Sequence, residues 1–173
     1  MKRRQFLQLT GAALAGGVAG VCMARTDIAR LATAVAMPPT DAAAFGKARR
    51  FAELPCGRIA YVERGAGEAA LFLHGAPFNG FQWRGALDRL SAHRRCIAPD
   101  FMGLGYTQVP AGQSLAADAQ AGMLAALLDA LAVGKVDIVA SDSGGAVAQL
   151  FLVRHPERVR SVLLTNCDVE PDS

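Results

Sequence analysis

From Arg50 onward, short apolar runs alternate with longer stretches in which apolar residues recur every three or four positions. The short runs fall near 50–54, 58–64, 69–73, 95–98, 135–140 and 160–165 and predict strands. The longer stretches, near 80–91, 114–132 and 143–155, predict helices. Two strands close enough to form a hairpin, followed by strand–helix alternation, predict an α/β fold whose mostly parallel sheet is covered by helices on both faces. The run Val136-Asp137-Ile138-Val139-Ala140 is nearly all apolar, as a central parallel strand with no wet face should be. Ser114 stands where it would cap the second helix, with Asp118 just inside it. Pro156 should end the third helix, and His155 beside it suits the negative end of the helix dipole.

The first 36 residues follow a different pattern. Lys2, Arg3 and Arg4 precede a chargeless stretch, residues 5–24, that is rich in Ala and Gly. The order of basic head, apolar middle and small-residue exit describes a secretory signal, with cleavage expected after Ala24 or after Ala36. The pair Arg3-Arg4, followed after Gln5 by Phe6-Leu7, resembles the twin-arginine (Tat) export signal. That resemblance implies use of the Tat export machinery and a periplasmic or secreted product. An uncleaved N-terminal membrane anchor is the alternative, since the stretch is long enough to span a bilayer. Residues 37–49, with Pro38-Pro39, read as a linker, and residues 50–173 as the folded core.

Composition narrows the function classes. Hydrophobic residues make up 52% of the chain and charged residues 19%, ample for a buried core. The net charge of +3 hints at an acidic partner, but Lys2, Arg3 and Arg4 account for it, and no acidic residue precedes Asp27. The rest of the chain is near neutral, which gives no support for nucleic-acid binding. Cys22 falls in the signal, leaving Cys56, Cys96 and Cys167. An odd count without CxxC spacing argues against a disulfide framework or a zinc site. Nothing in the sequence implies a metal or organic cofactor.

The candidate chemistry centres on Ala140-Ser141-Asp142-Ser143-Gly144-Gly145, between an apolar strand and an apolar helix. Small residues around a tight strand-to-helix turn make a nucleophile elbow, which lifts one side chain above the sheet at a helix N-terminus. Two registers fit the spacing: Asp142 between Ala140 and Gly144, or Ser143 between Ser141 and Gly145. A plain helix cap by Ser141, Asp142 or Ser143 is the third reading. A second motif, His74-Gly75-Ala76-Pro77, directly follows the apolar run Ala70-Leu71-Phe72-Leu73.

The stretch 136–164 resembles the elbow, helix and following strand of the α/β-hydrolase superfamily, and His74-Gly75-Ala76-Pro77 resembles its oxyanion loop. The resemblance runs from about Arg50 to the end and implies an incomplete α/β-hydrolase fold: about six of eight strands, without the helical cap. In that family the nucleophile is followed by one variable residue and then Gly-Gly, which implies Asp142 as nucleophile with Gly144 and Gly145 as its small supports. An Asp there resembles the haloalkane dehalogenase and epoxide hydrolase branch, which attacks a small apolar substrate to form an alkyl-enzyme ester. The resemblance implies the backbone N–H groups of Ala76 and Ser143 as oxyanion donors, with His74 and Gly75 supporting the loop. His93 and His155 are not nominated. The stretch from Asp100 to Thr107 resembles the family's D-x-x-G-x-G-x-[ST] turn; a dinucleotide reading fails because Gln108 replaces the third glycine. Trp83 is expected in the core.

Two departures bear on activity. Dehalogenases of this kind commonly carry Trp after the nucleophile and Asn in the oxyanion loop, where this chain has Ser143 and Ala76, so epoxide or other ester-forming chemistry stays open. The family's acid and base histidine would lie beyond Ser173; without the base, an ester at Asp142 should persist. The alternatives are a non-catalytic remnant, whose uncovered sheet edge would favour aggregation, or a serine esterase acting through Ser143.

Overall fold

The computed structural model describes residues 40–167. The expected export signal, its cleavage sites and Cys22 lie outside the described residues. Among the described residues, no helix is long and apolar enough to cross a membrane.

Six strands form one sheet: β1 (Arg49–Leu54), β2 (Gly57–Arg64), β3 (Ala69–Leu73), β4 (Arg95–Pro99), β5 (Val136–Ser141) and β6 (Val159–Thr165). Their spatial order is β1-β2-β4-β3-β5-β6. β1 and β2 form an antiparallel hairpin, and β2 runs antiparallel to β4. β4, β3, β5 and β6 are mutually parallel. From β3 the chain crosses to β4 on one side, then returns to β5 on the other. Their loops therefore diverge at the carboxyl ends of β3 and β5, leaving a crevice where α/β sheets bind ligands.

Alternation along β3 builds two cores. Leu71 and Leu73 join Ile97, Leu124, Leu127, Ile138, Val147 and Phe151 on one face. Ala70 and Phe72 join Phe45, Val62, Leu87 and Cys96 on the other. With both faces covered, all five β3 residues are buried, which is why this strand reads as an unbroken apolar run. Full burial of each large aliphatic side chain contributes roughly 1.5–3 kcal/mol. At the far side of the sheet, β6 is an edge strand among the described residues, and its Leu163 is 57% exposed.

Three helical expectations need correction. The supposed linker 37–49 contains a helix, α1 (Ala42–Lys47), and the start of β1. Asp41 caps α1 by accepting the Ala44 N–H at 2.7 Å, and Phe45 is buried edge-on against Phe81. The stretch 80–91 divides into a 3-10 turn (Gly80–Trp83), capped by Asn79, and α2 (Arg84–Leu90). The third correction concerns α3 (Ala117–Ala130), which Ser114 does not cap; its first residue follows Ala116, which has no side-chain cap. The Gln120 side chain binds Met102 through both its N–H and C=O and also reaches the Leu115 carbonyl, holding the approach to α3 outside the helix. α4 (Ser143–Arg154) ends before His155, whose N–H bonds the Phe151 carbonyl and whose ring packs on Phe151.

Candidate active site

The elbow is a backbone feature before it is a chemical one. Asp142 joins β5 to α4 with φ 54° and ψ −134°, a region that residues with a Cβ rarely occupy. Its surroundings leave no room for larger neighbours. A Cβ on Gly75 would lie 2.5 Å from the Asp142 Cβ. One on Gly144 would meet the His74 carbonyl oxygen at 2.6 Å and the Leu73 oxygen at 2.8 Å. One on Gly145 would strike Cys167 Sγ at 2.4 Å. Glycine at these three positions lets the elbow sit directly on the ends of β3 and β6.

The turn leaves the Asp142 side chain exposed at the start of α4. Its Oδ1 accepts the Ser143 N–H at 2.5 Å. The Ala76 N–H donates to Ser143 Oγ at 2.9 Å, tying the loop after β3 to the elbow across 67 residues of sequence. Both N–H groups expected as oxyanion donors thus converge on the elbow, already engaged by its own oxygens. The Ser143 N–H, then the Ser143 hydroxyl, hold the Asp142 carboxyl below the ordinary carboxylate range; desolvation opposes them, and the Ala76 N–H adds to the lowering. Asp142 is therefore ionised at neutral pH, and among the described residues no cation contributes to that lowering.

His74 is fully buried and committed at both ring nitrogens. Nδ1 lies 3.0 Å from the Gly75 carbonyl, and Nε2 accepts the Phe101 N–H at 3.0 Å. That pattern fixes the tautomer with the proton on Nδ1. Burial pushes its pKa down, outweighing the Gly75 carbonyl and Asp100, which act upward. His74 is thus a neutral strut between the β3 and β4 loops, with no nitrogen free to serve as a base.

Sequence reasoning did not single out Gln82, nor say what the Asp100–Thr107 turn would hold. Gln82 accepts the Gly75 N–H at 3.1 Å and so fixes the loop that carries Ala76. The buried Asp100 carboxylate accepts the Gly80 N–H at 2.8 Å and the Tyr106 N–H at 2.9 Å, while its carbonyl accepts the Thr107 hydroxyl at 2.7 Å. Gly103 and Gly105 have positive φ, and a Cβ on Gly105 would lie 2.3 Å from the Asp100 carboxylate. The Asp100–Thr107 segment is therefore a structural turn. Its motif was visible, but motif spacing does not say which backbone groups a carboxylate will hold. Trp83 packs on Phe72 with centroids 5.6 Å apart. Cys56, Cys96 and Cys167 are free thiols, and burial pushes Cys96 up to about 11. Among the described residues, no group of three His, Cys, Asp or Glu could hold a metal ion.

Residues 70–172, from the core of β3 past the end of β6, match the alpha/beta hydrolase fold family. The chain is 40% identical over 103 residues to the 2-hydroxy-6-oxo-2,4-heptadienoate hydrolase of Pseudomonas putida, covering 58% of this chain and 37% of that protein. It is 34% identical over 110 residues to haloalkane dehalogenase 2 of Mycobacterium tuberculosis, covering 64% of this chain and 38% of that protein. The structure superposes on an epoxide hydrolase from Vigna radiata with a TM-score of 0.68 and 31% identity, covering 72% of this chain and 41% of the other. The chain thus spans about two fifths of the length of these relatives. With well over half of its residues matched and its elbow set on the ends of β3 and β5, the chain belongs to the α/β-hydrolase fold family.

Proposed function

We propose that Asp142 is the nucleophile of a hydrolase that passes through an alkyl-enzyme ester, as in a haloalkane dehalogenase or an epoxide hydrolase. The observation that carries this reading is the positive φ of Asp142 at the strand-to-helix turn, which presents an ionised, exposed carboxylate. The names of the relatives support the same class of small apolar substrate. A carboxylate oxygen attacks an sp3 carbon, a C–O bond forms, and the carbon–halide or epoxide C–O bond breaks. Halide leaves as the anion, whereas an epoxide oxygen takes a proton from water. The other carboxylate oxygen becomes the ester carbonyl, beside the Ser143 N–H and close to the Ala76 N–H. When water adds to that ester, the negative charge forms on an oxygen those donors already face.

A second reading, acyl transfer through Ser143, draws on the identity to the Pseudomonas putida hydrolase. Against it, Ser143 has entered α4, and its hydroxyl oxygen is engaged by the Ala76 N–H. Acid-quenched incubations with styrene oxide and with 1,2-dibromoethane, followed by peptide mass mapping, decide between the two. The expected result is an alkyl adduct on the peptide carrying Asp142, absent from Asp142→Asn. Fluorophosphonate labelling of Ser143, with no adduct on Asp142 from either substrate, would reverse the assignment.

A further inference from the structure

A cavity of about 620 Å³ opens beside the loop that carries Ala76, lined by Pro77, Phe78, Asn79, Phe81, Gln82 and Arg84. It shares two connections with the elbow. Pro77 directly follows Ala76, whose N–H bonds Ser143 Oγ, and Gln82 also accepts the Gly75 N–H. Its size falls within the range of roughly 300–1,000 Å³ usual for small-molecule sites.

The wall is apolar apart from a few groups, and most of those are already committed. Asn79 Oδ1 accepts the Phe81 N–H, and Gln82 Oε1 accepts the Gly75 N–H. Arg84 differs. Its guanidinium lies over the Phe81 ring, 4.4 Å from the centroid, and donates one bond to the Phe81 carbonyl at 3.2 Å. Among the described residues it pairs with no carboxylate, whereas Arg50, Arg58, Arg64, Arg94, Arg95, Arg154, Arg158 and Arg160 each do. Arg49 and Arg89 also lack such a partner, but Arg89 is exposed, Arg49 lies over the Tyr106 ring, and neither lines the cavity, whereas Arg84 is half-buried and does. A partly desolvated guanidinium, flattened on an aromatic ring with donors left over, is suited to bidentate capture of a carboxylate. The Phe78 ring, 58% exposed, adds a second aromatic surface for the body of such a ligand.

We propose that this cavity is a carboxylate subsite: it holds the acid group of a small planar or aromatic ligand on Arg84, with Phe78 and Phe81 against the ligand's body. Resting on the Asp142 reading for the reactive end, it changes the substrate class from wholly apolar molecules to halides or epoxides that carry a carboxylate at their far end.

Binding can be measured without turnover. Trp83 is the sole tryptophan, stands between Gln82 and Arg84 in sequence and packs on Phe72, so its fluorescence and indole N–H resonance supply one probe next to the cavity. The full chain would be titrated with benzoate and with neutral benzamide of the same shape. Benzoate is expected to bind at least ten-fold more tightly than benzamide, and added salt should erode the difference. Arg84→Gln should bring benzoate down to the benzamide level, and Arg84→Lys should fall between, since it keeps the charge without the fork. Equal binding of the two ligands by the unaltered chain, or no benzoate binding at concentrations of about 20 mM, overturns the proposal even if Arg84→Gln fails to fold. So does a folded Arg84→Gln variant that binds benzoate unchanged. Asp142→Asn should bind benzoate at least as well, because Asp142 does not line the cavity and the change removes a negative charge. A failure to alkylate Asp142 therefore leaves the subsite standing, and loss of the subsite leaves the nucleophile standing.

Discussion

Gly144→Ala tests whether the elbow is seated as closely as the structure shows. Gly144 lies in the first turn of α4, where exchanging glycine for alanine ordinarily stabilises a helix by at most about 1 kcal/mol. Here the new methyl would lie 2.6 Å from the His74 carbonyl oxygen and 2.8 Å from that of Leu73. Both obstacles are backbone at the buried end of β3, so neither can swing aside. Overpacking of this kind costs typically about 1–3 kcal/mol, more than the helix gains, and the net expectation is a loss of about 1–2 kcal/mol. Two other glycines calibrate the series. Gly122, on the exposed face of α3, has nothing within 4 Å of an added methyl, so Gly122→Ala should gain about 0.5–1 kcal/mol. Gly145→Ala should fall between, because its obstacle is Cys167 beyond the end of β6, whose Sγ can turn away while its Cβ, 2.5 Å off, yields only with the backbone that carries it. Urea denaturation of the three variants supplies the ranking. A Gly144→Ala protein as stable as the parent, alongside a stabilised Gly122→Ala, would mean that α4 does not sit on β3 as described. The same displacement should draw Asp142 away from Ala76 and slow alkylation more than Gly145→Ala does.

Two further outcomes follow from the charges and hydrogen bonds at the site. Because burial lowers the His74 pKa, the unfolded chain binds its proton first as pH falls; stability should decline below about pH 6.5, and His74→Gln should remove that part of the decline. Unfolding free energies measured between pH 7.5 and 5 would show it, and an identical slope in the variant would refute the neutral-strut assignment. Because the Ser143 hydroxyl helps lower the Asp142 carboxyl, Ser143→Ala should move the acid limb of the alkylation rate to higher pH while leaving the neutral plateau in place; an unmoved limb would show that the backbone N–H groups alone set the ionisation.

The sequence disclosed structure where one residue's environment dominates, and hid it where two distant segments decide together. Ala69–Leu73 reads as a buried strand because both faces of β3 need apolar side chains, and those side chains are the sequence. α1 is hidden in the sequence because its only buried residue is Phe45, and a single buried position in six residues has no period; Phe45 packs on Phe81, which lies 36 positions away. Ser114 looked like a cap because its chemistry suits one, but Gln120 and Met102 determine where α3 begins. The site shows the same division. Spacing alone allowed either Asp142 or Ser143 as the lifted residue, since each has small neighbours. What separates them is which residue takes the positive φ, and that is imposed by the approach of Gly75 to the Asp142 Cβ and of Gly144 to the end of β3. A register read from one segment could not contain that information, because half of the steric argument sits some seventy residues earlier. For the same reason Gln82 and Arg84 drew no notice as a pair: one fixes the loop and the other is left without a counter-charge, and neither fact exists until the 3-10 turn folds back beside β3.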